Sequence, residues 1–218
     1  MEVLEGLHRI DLSEKGDHSL ESWLLNCSEG VVIIDTGMNP NALDKIYSEL
    51  KSIGKDWSDI KLILITHKHR DHIANLFRIK ELTNAPVKSH KLEASLIEKA
   101  TNVKVEGLED EAIIKFCGGI KVVHVPGHSE GNSCYYLIRL KAMIAGDTVF
   151  SDDKGELIPP PEKYCLDVKM ATEEIKKLLN YDFKFLLYTH GKDVMDNARE
   201  KVRELVKKTS LLNYSNHV

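Results

Sequence analysis

The sequence predicts an α/β protein in which β-sheets are covered by helices on their outer faces. Two short apolar runs, at residues 31–34 and 62–65, are continuous rather than alternating, which is typical of strands that are buried on both faces. Segments of helical period lie between the predicted strands. Because the 218 residues contain no internal repeat and no linker-like stretch, we expect residues 1–218 to form one domain.

The first part of this pattern predicts a strand–helix–strand unit over residues 31–65. Asn39-Pro40 is suited to start the helix, and Gly54 is suited to end it. The apolar face of the helix is predicted from residues that recur at intervals of three or four: Ala42, Ile46, Leu50 and Ile53.

The later elements follow from the same periodicities. Apolar spacing predicts one helix that begins close to His72 and another whose apolar face includes Leu92 and Ile97. Gly118-Gly119 separates two apolar runs and predicts a hairpin, because both glycines accept a positive φ. The remaining strands are expected at 133–140, 142–145 and 184–188, and the remaining helices near 168–179 and 194–209.

Composition and charge exclude several classes of protein. The chain carries 30 basic and 34 acidic residues, so its formal net charge is −4, and we do not expect nucleic acid as a partner. The aliphatic runs are too short to span a bilayer, and the N-terminal sequence is not that of a signal peptide. No Cys-x-x-Cys pair occurs among Cys27, Cys117, Cys134 and Cys165, so we expect reduced cysteines and a cytoplasmic location.

One segment concentrates side chains that bind metals. Residues 66–72 read Thr-His-Lys-His-Arg-Asp-His and directly follow a predicted buried strand. In an extended segment, residues two apart point to the same side, so His67 and His69 can present two imidazoles to one ion. If a helix then begins, Asp71 and His72 point in a neighbouring direction, which suits a second ion. A solvated polar loop is the alternative, but three crowded histidines would repel one another when protonated.

Further candidate ligands stand at the ends of other predicted strands. His128, Asp147 and His190 each follow directly after a strand and lie beside a glycine, where the backbone can bend sharply and leave room for a ligand. Asp35 also follows a strand. The sequence Asp-Thr-Gly there either forms a simple turn or lets Asp35 accept a hydrogen bond from a ligating imidazole.

Together, these residues resemble the metallo-β-lactamase superfamily. The five motifs of that family are matched in order by Asp35, the run from His67 to His72, Gly-His-Ser at 127–129, Gly-Asp-Thr at 146–148, and His190 before a glycine. The resemblance implies a four-layer αβ/βα sandwich, in which two mixed β-sheets face each other and helices cover the outer faces. It also implies a dinuclear metal site at one edge of the sandwich.

The resemblance assigns a role to each candidate ligand. The first ion would be held by His67, His69 and His128, the second by Asp71, His72 and His190, and both by a bridging Asp147. Asp71 would also be the catalytic residue, because a carboxylate beside the bridging water could accept its proton. Zinc is the usual metal, with iron and manganese as alternatives, since mixed imidazole and carboxylate ligands accept all three.

The implied activity is hydrolysis of a small ester, lactone or thioester by a hydroxide generated on the metal ions. The expected partner is therefore a small-molecule substrate, and the sequence leaves the oligomeric state open. The main alternative is a persulfide dioxygenase-like enzyme with a single iron held by His67, His128 and Asp147, because it shares this motif set. A metal-binding relative without catalysis is a third hypothesis.

Residues 151–166 contain three consecutive prolines and show no periodicity, which predicts an ordered irregular loop. Because the loop follows the strand that carries Asp147, we expect it to border the pocket. Tyr164 would be able to donate a hydrogen bond to a substrate oxygen there, although a packing role for this tyrosine is an equal alternative.

Overall fold

The computed structural model describes residues 1–14, 20–152 and 154–215. The strands in this part of the chain are β1 (Glu2–Leu4), β2 (Leu7–Asp11), β3 (Glu21–Cys27), β4 (Gly30–Ile34), β5 (Ile60–Leu64), β6 (Val87–His90), β7 (Glu106–Leu108), β8 (Ile113–Ile114), β9 (Ile120–His124), β10 (Ser133–Leu137), β11 (Ala142–Ile144), β12 (Phe150–Ser151), β13 (Leu157–Ile158) and β14 (Phe185–Leu187). The helices are α1 (Ala42–Ser52), α2 (Arg70–Ile73), α3 (Leu76–Thr83), α4 (Lys91–Thr101), α5 (Val168–Glu174) and α6 (Ala198–Ser215).

The longer strands form two mixed sheets. The first sheet has seven strands in the order β1-β2-β3-β4-β5-β6-β7, antiparallel as far as β4 and parallel from β4 onwards. The second has five strands in the order β14-β11-β10-β9-β8, in which only the β11–β14 pair is parallel. Both counts refer to the residues that the structure describes.

Alternating side chains divide the hydrophobic core into three layers. In β4, Val32 and Ile34 pack between the two sheets, whereas Val31 and Ile33 pack against α1, α3 and α4 on the outside of the first sheet. The strands of the second sheet alternate in the same way, and their outer side chains pack against α6 and the 3-10 helix that follows α5. The layers are therefore helices, sheet, sheet and helices, which confirms the αβ/βα sandwich.

The predicted strand–helix–strand unit and the hairpin are confirmed. The helix α1 buries Ala42, Ile46 and Leu50, and it connects β4 to the parallel strand β5. The turn between the antiparallel strands β8 and β9 contains Gly118 and Gly119 with φ of 83° and 96°. Side chains with a Cβ rarely adopt such angles, which explains the glycine pair.

The helix predicted from His72 onwards is interrupted. It consists of α2 and α3, which are separated at Asn75. The side-chain amide of Asn75 donates hydrogen bonds to the carbonyl oxygens of Thr36 and Asn39, at 3.1 Å and 3.0 Å. These bonds tie the break between the helices to the segment that follows β4, so tertiary contacts override the helical periodicity.

Two further expectations need correction. On α4, Leu92 is 46% exposed, and Glu93 occupies the buried face beside Ala94 and Ile97. The prolines of residues 151–166 do not leave the segment wholly irregular, because β13 pairs with β12 in a two-stranded ribbon and Glu162–Tyr164 form a 3-10 turn.

The expectation of four reduced cysteines is wrong for two of them. Cys27 and Cys117 form a disulfide that joins the end of β3 to the turn before β9, and therefore links the two sheets. The two cysteines are 90 residues apart in the sequence, so their spacing gave no sign of pairing. Cys134 and Cys165 are free thiols. None of the described helices is long and apolar enough to cross a membrane.

Denatured without a reductant, the protein should therefore expose the two free thiols of Cys134 and Cys165 to a thiol reagent, and two more after reduction. The double variant Cys27→Ser/Cys117→Ser should lose about 2–4 kcal/mol of unfolding free energy, because the disulfide closes a long loop in the unfolded chain. Chemical denaturation measures this loss. Four reactive thiols before reduction would contradict the assignment.

Candidate metal centre

The candidate ligands meet at one edge of the sandwich because they follow strands of both sheets. His67 lies just beyond β5 of the first sheet, and His69 is the residue before α2. His128, Asp147 and His190 lie in the segments that follow β9, β11 and β14 of the second sheet. The site is therefore assembled only when the two sheets pack face to face.

The structure brings all the predicted ligands together in two groups. Within each group, one ligand atom of every residue lies within 4.8 Å of the others. The three-histidine group consists of His67, His69 and His128, and the mixed group consists of Asp71, His72, Asp147 and His190. His67 Nε2 and His128 Nε2 are 3.1 Å apart, so two ring nitrogens of the first group point at the same small volume.

Asp147 lies between the two groups. Its Oδ2 is 3.4 Å from Nε2 of His128, and its Oδ1 is 3.3 Å from Nε2 of His72. Oδ1 of Asp147 and Nε2 of His72 are both buried, and neither has a hydrogen-bond partner among the described residues. Since buried polar atoms are normally satisfied, this pair of orphaned atoms fits a bound cation.

Asp35 fixes the ring of His72 from behind. The Oδ2 atom of Asp35 lies 2.8 Å from Nδ1 of His72, and both atoms are buried. A carboxylate only accepts hydrogen bonds, so Nδ1 of His72 carries a proton and Nε2 is the ring atom that could bind a metal ion. Asp35 also has a φ of 61°, which makes it part of a tight turn after β4. Asp35 therefore both forms a turn and accepts a hydrogen bond from an imidazole, the two roles that the sequence offered as alternatives.

Thr66 organises two imidazoles, and the sequence patterns did not single it out. Its backbone N–H and its hydroxyl both donate to the carboxylate of Asp35, at 2.8 Å each. Because the hydroxyl proton is used in that bond, the hydroxyl oxygen accepts from Nδ1 of His67 at 3.1 Å. The Nε2 atom of His67 is thereby left free of a proton and directed at His128.

The three-histidine group is held in the uncharged form. Burial lowers the pKa of His67, His69 and His128, to about 4 for His128. These imidazoles are therefore neutral at pH 7, which is the form that binds a metal ion.

The mixed group carries charge instead. Burial opposes a charge on His72, but the carboxylates of Asp35 and Asp147 outweigh burial and raise the pKa of His72 well above its usual value. Burial also disfavours ionised Asp71, but the hydrogen bond from His190 and the charge of His72 hold the pKa of Asp71 below its usual range. The site thus favours positive charge beside ionised carboxylates.

A cavity of about 780 Å³ opens in front of both groups. As expected, residues 151–166 border it, through Pro161, Lys163 and Tyr164 among others. Phe150 also lines the cavity, and its ring stacks on the imidazole of His190 with ring centroids 5.8 Å apart. The sequence offered no signal for Phe150, because an aromatic residue after a strand is usually part of the core.

The other described histidines lie outside both groups. His90 and His124 stack on each other with ring centroids 3.9 Å apart, and Nε2 of His124 donates to the carbonyl oxygen of Glu130 at 3.0 Å. His124 therefore packs and forms a hydrogen bond away from the candidate ligands. His8 instead pairs with Glu49 at 2.8 Å.

The model of the metallo-beta-lactamase superfamily matches residues 21–209 of the chain. The chain belongs to this superfamily. A metallo-beta-lactamase family protein from Thermus thermophilus superposes with a TM-score of 0.77 at 20% identity, over 96% of this chain and 81% of that protein. A protein described as a metallo-beta-lactamase from Pontibacter korlensis superposes with the same TM-score of 0.77 at 19% identity, over 95% and 97% of the two chains.

Curated relatives agree with membership of the superfamily. The probable metallo-hydrolase YflN of Bacillus subtilis is 26% identical over 90% of this chain and 92% of its own length. A hydroxyacylglutathione hydrolase of Bartonella tribocorum is 28% identical over 70% of this chain, but the match spans only 56% of that enzyme. Together with the two ligand groups, superfamily membership identifies the chain as a metal-dependent hydrolase.

Replacing Asp35 by asparagine tests how the site is built. Asparagine keeps one oxygen for the N–H of Thr66 but turns an amide donor towards Nδ1 of His72, so the ring proton moves to Nε2 and blocks ligation. Divalent-metal affinity should fall about 10–100-fold, as is usual for partners of metal-ligating histidines. Competition with a chromophoric chelator measures the affinity.

The matched control is Asp44→Asn, an exposed residue in the first turn of α1. We expect Asp44→Asn to bind metal as the unmodified protein does. An affinity of Asp35→Asn equal to that of the control would show that Asp35 does not direct His72.

Proposed function

We propose that the protein hydrolyses a small ester, lactone or thioester with the help of two divalent metal ions. The observation that carries the proposal is the position of Asp147, whose two carboxylate oxygens face imidazoles of different groups. A single buried carboxylate between two clusters of ligands favours one ion on each side of it. We further propose that residues 1–218 act as one catalytic domain.

The donor atoms suit borderline metal ions. We assign the first ion to the three-histidine group and the second to Asp71, His72 and His190, with Asp147 shared by both. Imidazole nitrogens mixed with carboxylate oxygens favour zinc, with iron and manganese as alternatives. When bound, such ions lower the pKa of coordinated water to near 7 and polarise a carbonyl oxygen.

Asp71 is the residue that we propose to move the proton. Its side chain lines the cavity and is 29% exposed, whereas Asp147 is almost completely buried. The low pKa of Asp71 keeps its carboxylate ionised at neutral pH. An ionised carboxylate that faces the cavity can accept a proton from attacking water and return it to the leaving group.

The mixed group favours hydrolysis over the iron-dependent alternative. A dioxygenase with one iron would need only a subset such as His67, His128 and Asp147. The assembly of three further candidate ligands beside Asp147, among which the buried Asp35 orients His72, is unexplained by a single ion. Two ions give all of these side chains a role.

The cavity walls suggest an acyl substrate with an anionic group. Arg70, Lys163 and Lys192 line the cavity, and none of the three forms an ion pair within the described residues. The hydroxyacylglutathione hydrolases among the relatives are named for hydrolysis of an acyl-glutathione. This supports a test of anionic thioesters beside esters and lactones.

Protein isolated without added metal should contain two divalent ions per chain. It should hydrolyse at least one member of a panel of esters, lactones and thioesters in the absence of oxygen, and anionic thioesters should be preferred over neutral ones. Elemental analysis and anaerobic assays make both measurements. One iron per chain with uptake of oxygen would favour the dioxygenase, and a failure to bind any divalent metal would favour a non-catalytic relative.

A further inference from the structure

A buried carboxylate lies directly behind the three-histidine group. Glu93, in the first turn of α4, has no exposed surface. Its Oε2 accepts a hydrogen bond from the backbone N–H of Lys68 at 2.8 Å. Its Oε1 accepts from the hydroxyl of Ser129 at 2.6 Å and from the backbone N–H of Gly131 at 2.7 Å.

These donors belong to the two segments that carry the three imidazoles. Lys68 stands between His67 and His69, and Ser129 directly follows His128. A single side chain on α4 thus joins the segment after β5, in the first sheet, to the segment after β9, in the second. The relative position of the three imidazoles therefore depends on the carboxylate of Glu93.

The close approach of these groups is specific. A Cβ at Gly131 would lie 2.8 Å from Cγ of Glu93 and 2.9 Å from Nδ1 of His90, which is closer than real Cβ contacts. Only glycine lets the backbone N–H at position 131 reach the carboxylate. Glu93 is the third residue of α4, where a glutamate often accepts a hydrogen bond from the backbone N–H of the residue that caps its own helix. Glu93 instead accepts hydrogen bonds from the two ligand segments.

The charge of Glu93 needs an explanation. Within the described part of the chain, no lysine or arginine pairs with it. A buried carboxylate is costly without compensation, and three donors offset only part of the cost. The ligands of the three-histidine group are all imidazoles, which bring no negative charge to an ion. A divalent cation between them would compensate Glu93, and Glu93 would stabilise that cation.

We propose that Glu93 is a positioning residue that holds the two segments of the three-histidine group and strengthens its affinity for a divalent cation. The proposal rests only on the metal-binding part of the proposed function. Glu93 acts through the backbone of Lys68 and through Ser129 and Gly131, and it does not touch the substrate cavity.

The substitution Glu93→Gln tests this role with almost unchanged shape. Glutamine keeps one oxygen for Ser129 and Gly131, but it presents an amide donor to the N–H of Lys68 and removes the charge. Zinc affinity, measured on the full chain by chelator competition, should fall about 10–100-fold. The matched control is Glu98→Gln on the same helix, whose carboxylate accepts from the N–H of Val105 away from the site. This control should bind zinc as the unmodified protein does.

A second background separates a local effect from general damage. In the double variant His67→Ala/His128→Ala, only His69 of the three-histidine group remains, so the zinc binding that is left belongs to the mixed group, and adding Glu93→Gln should not change its affinity. An unchanged affinity of Glu93→Gln in the unmodified background overturns the proposal, as does an equal loss in the His67→Ala/His128→Ala background. If Glu93→Gln does not fold, the variant Ser129→Ala, which removes one hydrogen-bond donor to Glu93, provides the test. A loss of zinc affinity of about 2–10-fold supports the proposal, and an unchanged affinity overturns it.

These readouts are independent of catalysis. A protein that binds zinc with the predicted dependence on Glu93, but hydrolyses nothing in the panel, would contradict the proposed function and leave the role of Glu93 intact. A protein that hydrolyses a member of the panel, but whose zinc affinity does not depend on Glu93, would support the proposed function and contradict the role of Glu93.

Discussion

The buried carboxylate of Asp147, placed between imidazoles from two groups, is the constraint on which the rest of the site depends. Asp147 is only 5% exposed, and its Oδ1 makes no hydrogen bond within the described residues. A charge in that position is tolerated only if cationic groups surround it. Imidazoles of His72 and His128 lie 3.3 Å and 3.4 Å from the two oxygens of Asp147, and metal ions held by these imidazoles would supply the positive charge.

The packing of the two sheets places these side chains together at one edge of the sandwich. Segments that follow strands of both sheets carry the ligands, and glycines allow them to pass close to their neighbours. A Cβ at Gly146 would lie 3.0 Å from Cβ of Thr66, the residue that orients His67, and a Cβ at Gly127 would lie 2.1 Å from the backbone nitrogen of Ala171. Asp35 then bonds to the ring of His72 and, through Thr66, orients His67, and Glu93 accepts hydrogen bonds from the segments that carry the three-histidine group.

The sequence predicted the parts of this arrangement that depend on local spacing. The run from His67 to His72 is an example, because ligand spacing is a local property, whereas the αβ/βα layers were implied by the resemblance to the superfamily. The buried role of Glu93 was not predictable, since a glutamate beside Leu92 on a helix is normally solvated. The Cys27–Cys117 disulfide depends on how the two sheets pack, and the short strands β1 and β2 carry too few periodic residues to be identified.

We propose above that two ions share Asp147. Anomalous diffraction from crystals of protein isolated without added metal tests it most directly, because the signal locates each ion independently of activity. We expect two peaks on opposite sides of Asp147, one beside His67, His69 and His128 and the other beside Asp71, His72 and His190. A single peak, or peaks away from Asp147, would contradict it.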